Sequence, residues 1–211
     1  MDVTHQTNDE QATRWNGLAG RAWVEGQELL DQVLKPFEDL LLEAVSAAKP
    51  GSRVLDVGCG TGQVAAALES YLSDRGVYYG TELAKEGVEF CRRRYRRPNF
   101  HFAQNEMTSL PLQGLQFDLV VFFSVFTHTY PEETAQLLAE AKRLMAPGGC
   151  ILADVFTSPM VERHAGNRGA LEVNLEHLMH LAREKGLNAD EVLCFPWQSF
   201  GRRRLFKFMA A

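Results

Sequence analysis

Apolar positions along this 211-residue chain change their period several times, and each change marks an element. Between residues 14 and 45, Leu29, Leu30, Val33, Leu34, Phe37, Leu40 and Leu41 recur at helical spacing with a break at Pro36. Residues 1 to about 13 are polar and are expected to fray. Lys49-Pro50-Gly51 ends the helical region, Val54, Leu55 and Val57 supply strand character, and QVAAALESYL returns to a helix. A strand over 77–83, a helix from AKEGVEFCRRRYRR and a strand FHFAQ follow. The continuous apolar run 117–123 suits a central strand covered on both faces of a parallel sheet. A helix over 131–145 begins at Pro131, a favoured first helical position, and Pro147-Gly148-Gly149 stops it before a strand CILADVF. Residues 170–186 read as one more helix, and EVLCFPW and RRLFKFMA as two last strands paired in a hairpin around Ser199-Phe200-Gly201.

The most informative stretch is VLDVGCGTG, residues 54–62. Gly58, Gly60 and Gly62 permit a sharp turn between strand and helix and let a ligand approach backbone atoms without a Cβ in the way. Such a unit binds its ligand outside the carboxyl end of the strand. The dinucleotide fingerprint requires a glycine where this chain has Gln63, which disfavours a nicotinamide oxidoreductase. The spacing is D-x-G-x-G-x-G, with Asp56 two residues ahead of Gly58.

That run resembles the first motif of class I S-adenosylmethionine (SAM)-dependent methyltransferases, without a gap over its nine residues. The resemblance covers about residues 50–209, with SVFTHTYPEETAQLLAEAKRLMAPGG at 124–149 as its second part. It implies an α/β, Rossmann-like, seven-stranded sheet, mostly parallel with an antiparallel last strand, helices between the first six strands, and SAM as methyl donor. Residues 14–42 resemble the lid ahead of the core in small-molecule members of the family, so residues 1–48 are expected to form a helical lid of the same domain and 49–211 the SAM-binding core.

Composition narrows the partners. Hydrophobic content of 45% and charged content of 23% are ordinary for a globular chain, and the net charge of −5 weighs against nucleic acid. RRRYRR at 92–97 reads as a solvated helix end, since cations suit a helix C-terminus. Cys59, Cys91, Cys150 and Cys194 are far apart, with no metal-ligand spacing, and read as reduced thiols. No signal-peptide core or membrane-length apolar run is evident, so a cytoplasmic monomer or homodimer with no membrane partner is expected.

SAM presents a ribose diol, an adenine, an amino-acid group and a sulfonium. Glu82, at the end of the second strand, is where a carboxylate accepts from ribose hydroxyls, and Leu83 beside it suits the adenine face. After the third strand the family usually carries an aspartate near the adenine amine; here Asn105 or Glu106 takes that role, with Met107 against the ring. Asp56 is expected to bond loop amides or water around the methionine moiety, while Gly58, Cys59, Gly60 and Gly62 offer backbone contacts. Phe123 and Ser124 should lie below the sulfonium, and Trp15, Arg21 and Trp23 of the lid are candidates for closing over the methionine end.

On the acceptor side, His128 occupies a position where family members can place a base, and it serves either as that base or to position the acceptor. Asp154, Arg163, His164, Asn167 and Arg168 are expected in a loop after the fifth strand, where a small-molecule acceptor enters and Arg163 and Arg168 can hold an anion. Phe126, Tyr130, Phe156, Met160 and Trp197 are candidates for its apolar wall, and Arg202, Arg203 and Arg204 fall in the last turn as a small basic patch. Methylation of a macromolecule such as protein, and a SAM-binding regulatory protein without catalysis, are the alternatives.

Overall fold

The computed structural model describes residues 51–167, 169–197 and 200–211 and isolated positions before residue 51; for residues 167, 195, 197 and 200 it describes the backbone. Two compact units result, residues 1–111 and 112–211. Most of the expected lid lies outside the described residues, although Ala22, Glu25, Gln32, Lys35 and Glu43 are helical and exposed.

In the first unit, β1 (Arg53–Val57), β2 (Val77–Glu82) and β3 (Phe100–Gln104) run parallel with β2 in the middle. Val54, Leu55 and Val57 are buried, as a strand covered on both faces requires. Helix α1 (Gln63–Glu69) turns Val64, Ala65 and Leu68 inward, and α2 (Lys85–Arg94) does the same with Gly87, Val88 and Cys91. The tyrosine of RRRYRR departs from the expected solvated helix end. Tyr95 is buried, Arg92 donates to the Phe102 carbonyl at 2.7 and 3.0 Å, and Arg97 donates to the carbonyls of Glu69 and Leu72. Arg92, Arg93, Arg94 and Arg96 are exposed.

The second unit contains β4 (Phe117–Phe122), α3 (Pro131–Leu144), β5 (Met145–Thr157), β6 (His164–Asn167), β7 (Ala170–Val173), α4 (Leu175–Glu184), β8 (Leu187–Trp197) and β9 (Phe200–Ala210). β5 is its centre, pairing parallel with β4 and β7 and antiparallel with β9, which in turn pairs antiparallel with β8. The mostly parallel α/β architecture with an antiparallel last strand is thus present.

Several element details differ from expectation. Nine strands, not seven, occur among the described residues, because β6 and β7 form an additional antiparallel hairpin. β7 occupies the first part of the helix expected over 170–186, which starts only at Leu175, where the Asn174 side chain accepts from the His177 amide and caps it. No helix separates β3 from β4; residues 105–116 are a loop. Strand β5 already begins at Met145 and runs through Pro147-Gly148-Gly149. Among the described residues no helix is long and apolar enough to cross a membrane, which says nothing of a β-barrel.

Candidate functional site

At the carboxyl end of β1 the chain turns through Gly58, Gly60 and Gly62 with φ of 74°, 53° and 88°. Only glycine adopts such values without Cβ strain. The Thr81 carbonyl accepts the amides of Gly58 and Cys59 at 2.8 and 2.9 Å, which fastens the loop to β2. Glu82, the last residue of β2, completes the brace: Oε2 accepts from the Gly60 amide at 3.0 Å and Oε1 from the Ala84 amide at 2.8 Å. Burial raises its pKa, while the amides of Ala84, Gly60 and Leu83 act in the opposite direction.

From α2, Cys91 donates its thiol to the Gly60 carbonyl at 3.5 Å, and the Tyr95 hydroxyl donates to the Gly62 carbonyl at 2.8 Å. A Cβ on Gly62 would collide with the Tyr95 ring. Sequence reasoning did not identify Tyr95, since its function depends on a contact 33 residues away. Asp56 is buried within β1, and its Oδ2 accepts the Tyr78 hydroxyl at 2.6 Å. Burial pushes its carboxyl up to about 7; Tyr78 acts against that shift and the charge of Glu82 adds to it. Cys59 is also buried, and its neighbour Cys91 together with burial pushes its thiol up.

After β3, the Asn105 amide donates to the Glu82 carbonyl at 3.1 Å and its side-chain Nδ2 to the Glu106 carbonyl at 2.7 Å. Asn105 Oδ1 is buried with no hydrogen-bond partner among the described residues. A buried acceptor left unmatched costs about 1–3 kcal/mol, which a ligand amine donating to it would recover. Glu106 is exposed, and Leu83 and Met107 are half-buried.

The second unit brings together three residues from distant parts of the sequence. Ser124, just beyond β4, has φ 55°, the one positive value at a non-glycine among the described residues. Its amide donates to Asp154 Oδ1 at 2.7 Å, and its Oγ accepts from Arg203 at 2.7 Å. Arg203 Nε donates to Asp154 Oδ2, also at 2.7 Å, and both side chains are buried. Asp154 lies within β5 and Arg203 within β9, as the expected strands CILADVF and RRLFKFMA imply, and not in the acceptor loop or the last turn. His164 and Asn167, also expected in that loop, are the ends of β6.

Phe126 is fully buried and stacked on Phe122 with centroids 4.8 Å apart, while Phe156 is buried with the Arg203 guanidinium 5.6 Å from its ring centroid. Tyr130 meets His164 edge-on at 5.5 Å. Arg163 pairs with Glu132 at 2.8 Å on the surface, and Met160 is exposed. His128 is half-buried, and its amide donates to the Val125 carbonyl at 2.9 Å. In the same loop the Thr127 carbonyl accepts from the Leu171 amide at 2.9 Å, which ties it to β7. Phe123 is buried beside Ser124. Trp15, Arg21, Trp23, Arg168 and the Trp197 side chain lie outside the described residues.

The family model "Methyltransferase domain" matches residues 54–149, from β1 through the glycine loop to the start of β5. Over that stretch the chain is similar to a methyltransferase domain. Its fold matches magnesium protoporphyrin IX methyltransferase from Synechocystis PCC 6803, solved with bound SAM, at a TM-score of 0.72 and 14% identity over 100% of this chain and 98% of that one. Fatty-acid O-methyltransferase from Mycolicibacterium smegmatis is 37% identical over 112 residues, 52% of this chain and 39% of that enzyme. Phthiotriol/phenolphthiotriol dimycocerosates methyltransferase from Mycobacterium tuberculosis is 34% identical over 99 residues, 47% of this chain and 36% of that enzyme. The matches therefore cover little more than a third of the length of these curated relatives.

Proposed function

We propose that this chain is a class I methyltransferase that binds SAM and transfers its methyl group to a small-molecule acceptor. The observation that carries the reading is the glycine turn braced by Glu82, with the unmatched Asn105 Oδ1 following the next strand. This donor and acceptor set suits SAM. Glu82 would exchange its bond to the Gly60 amide for the ribose hydroxyls, Asn105 Oδ1 would accept the adenine amine, and Leu83 and Met107 would flank the ring. Asp56, Gly58, Cys59, Gly60 and Gly62 shape the turn around the methionine moiety, and Phe123 and Ser124 supply carbonyl oxygens for the sulfonium. Residues 1–48 act as a lid on the 49–211 core, with Trp15, Arg21 and Trp23 as its contacts.

When bound, SAM supplies an activated methyl carbon: the acceptor lone pair forms the new bond while the carbon–sulfur bond breaks toward sulfur, leaving S-adenosylhomocysteine (SAH) and a proton from the acceptor. The chain's own residues align, desolvate and dispose of that proton. His128 takes it or orients the acceptor, while Tyr130, Phe156, Arg163 and Trp197 remain the proposed acceptor contacts. Phe126, packed on Phe122, is better suited to supporting the loop. An oxygen acceptor is favoured by the fatty-acid O-methyltransferase among the relatives. A cytoplasmic location accords with four free cysteines. No nucleic-acid partner is included in this reading, and the protein acts as a monomer or homodimer.

The test is to incubate purified protein with methyl-labelled SAM and a lysate of its source organism, then separate small molecules from macromolecules. Protein-dependent label in the small-molecule fraction is expected. Label confined to protein or nucleic acid would overturn the small-acceptor reading, and SAM binding without any transfer would make the chain a SAM-binding regulator.

A further inference from the structure

The glycine turn after β1 is held from two sides. Its glycines, with φ of 74°, 53° and 88° at Gly58, Gly60 and Gly62, lose more conformational freedom on ordering than other residues would. On the β2 side the Thr81 carbonyl fixes the start of the turn through the amides of Gly58 and Cys59, and Glu82 takes the Gly60 amide at 3.0 Å. That last bond is the one Glu82 gives up for the ribose hydroxyls in the SAM reading above. On the α2 side two side chains at i and i+4 hold carbonyls. Cys91 donates to that of Gly60 at 3.5 Å, and Tyr95, immediately after the helix, to that of Gly62 at 2.8 Å. This second brace does not depend on Glu82.

Tyr95 is itself firmly placed. Its amide donates to the Cys91 carbonyl at 2.8 Å, and its ring, 3% exposed, stacks on Phe102 at 5.9 Å with the Arg94 guanidinium 5.0 Å from its centroid. The Gly62 carbonyl also accepts from the Ala66 amide at 2.8 Å in the first turn of α1, so it is matched without the tyrosine hydroxyl. A phenylalanine would fill the same space. Stability alone is therefore a weak reason for a hydroxyl here. We infer that Tyr95, together with Cys91, is a positioning residue that keeps the Gly60–Gly62 segment in its binding conformation once Glu82 has released it, and so sets the affinity for the amino-acid half of the methyl donor. This inference rests on the SAM reading above and deepens it, since there the turn surrounds the methionine moiety while Glu82 and Asn105 hold the adenosine. A turn ordered in advance loses less freedom when the ligand arrives, and more of the interaction appears as affinity.

Tyr95→Phe in the full chain provides the test, with calorimetric affinities for SAM, SAH and methylthioadenosine, which keeps the adenosine and the sulfur and lacks the amino-acid group. SAM and SAH affinities are expected to fall about tenfold, as the loss of one well-formed hydrogen bond implies, while that for methylthioadenosine stays within about threefold of wild type. The thermal midpoint should stay within about 4 °C, because the ring remains and the Gly62 carbonyl keeps the Ala66 amide. A merely structural role would lower the midpoint and all three affinities together. Cys91→Ala should repeat the selective loss at about threefold, and Cys91→Ser, which keeps a donor for the Gly60 carbonyl, should restore it. Unchanged SAM and SAH affinities in Tyr95→Phe, or equal weakening of all three ligands, overturn the positioning role. A wild type that binds neither SAM nor SAH instead defeats the SAM reading itself, and the inference with it.

Discussion

The Tyr78 hydroxyl lies 2.6 Å from Asp56 Oδ2 in the interior of the parallel sheet, donating to a carboxyl that burial has pushed up to about 7. The motif's acid is thus bound to the neighbouring strand, two residues before the glycine loop begins to turn at Gly58. Its charge state follows from the fold.

This gives a pH dependence with a defined sign. The unfolded group titrates near 3.8 and the folded one near 7, so the folded chain holds the proton more tightly between them. The stability contributed is fully present below the lower value and is lost as pH rises through the upper one. Asp56→Asn should remove this part of the slope, which urea midpoints at about pH 5 and about pH 8 would measure. The same difference between those midpoints in variant and wild type would contradict it.

Glu82→Ala should weaken SAM binding by about tenfold or more, since a charged acceptor of two hydrogen bonds is removed. His128→Ala should leave that affinity near wild type and lower turnover. Titration calorimetry beside a labelled-methyl assay separates the two effects, and equal SAM affinity in Glu82→Ala and wild type would refute the ribose assignment. Burial raises the Glu82 pKa, so wild-type affinity should also strengthen as pH rises through that raised value and the carboxylate ionises.

Asn105→Leu separates ligand binding from folding. The variant removes a buried acceptor that has no partner among the described residues, so the unfolding midpoint should hold or rise. SAM affinity should nevertheless fall by about tenfold, as expected for one well-formed bond to the adenine amine. Unchanged affinity would assign the adenine edge to another residue.

Gly62→Ala should cost about 2–4 kcal/mol, combining a left-handed backbone with overpacking against Tyr95. Chemical denaturation would read that loss. Adding Tyr95→Ala should return only the overpacking part, because φ stays at 88°. A double variant no more stable than Gly62→Ala would show that the ring is not the obstacle.

Much of the first unit was legible in the sequence because its signals are local. Period-two and continuous apolar runs marked β1 to β3, and the expected strand FHFAQ coincides with Phe100–Gln104. The second unit was harder to read. Residues 170–173 continue the apolar pattern into α4, so the sequence does not separate a four-residue strand from a helix; the pairing of Gly166 with Leu171 decides it. Pro147-Gly148-Gly149 signals a break, yet β5 runs through it, since Phe117 of β4 pairs with Met145 ahead of the prolyl-glycyl turn.

The sequence by itself determined the nucleotide-type glycine turn, the strand and helix periods, and Glu82 at the end of a strand, because each depends on neighbours a few residues apart. Only the tertiary structure decided which charges are buried and what they hold. RRR at 202–204 reads as one basic cluster, but β-strand alternation and packing against β5 take Arg203 inside to Asp154, 49 residues distant, and leave Arg202 exposed. Likewise Tyr95 leaves an otherwise basic run to brace Gly62 across 33 residues. Hydrophobic periodicity records which face of an element is covered; the partner that covers a polar group is fixed by contacts between distant strands, which a local pattern does not encode.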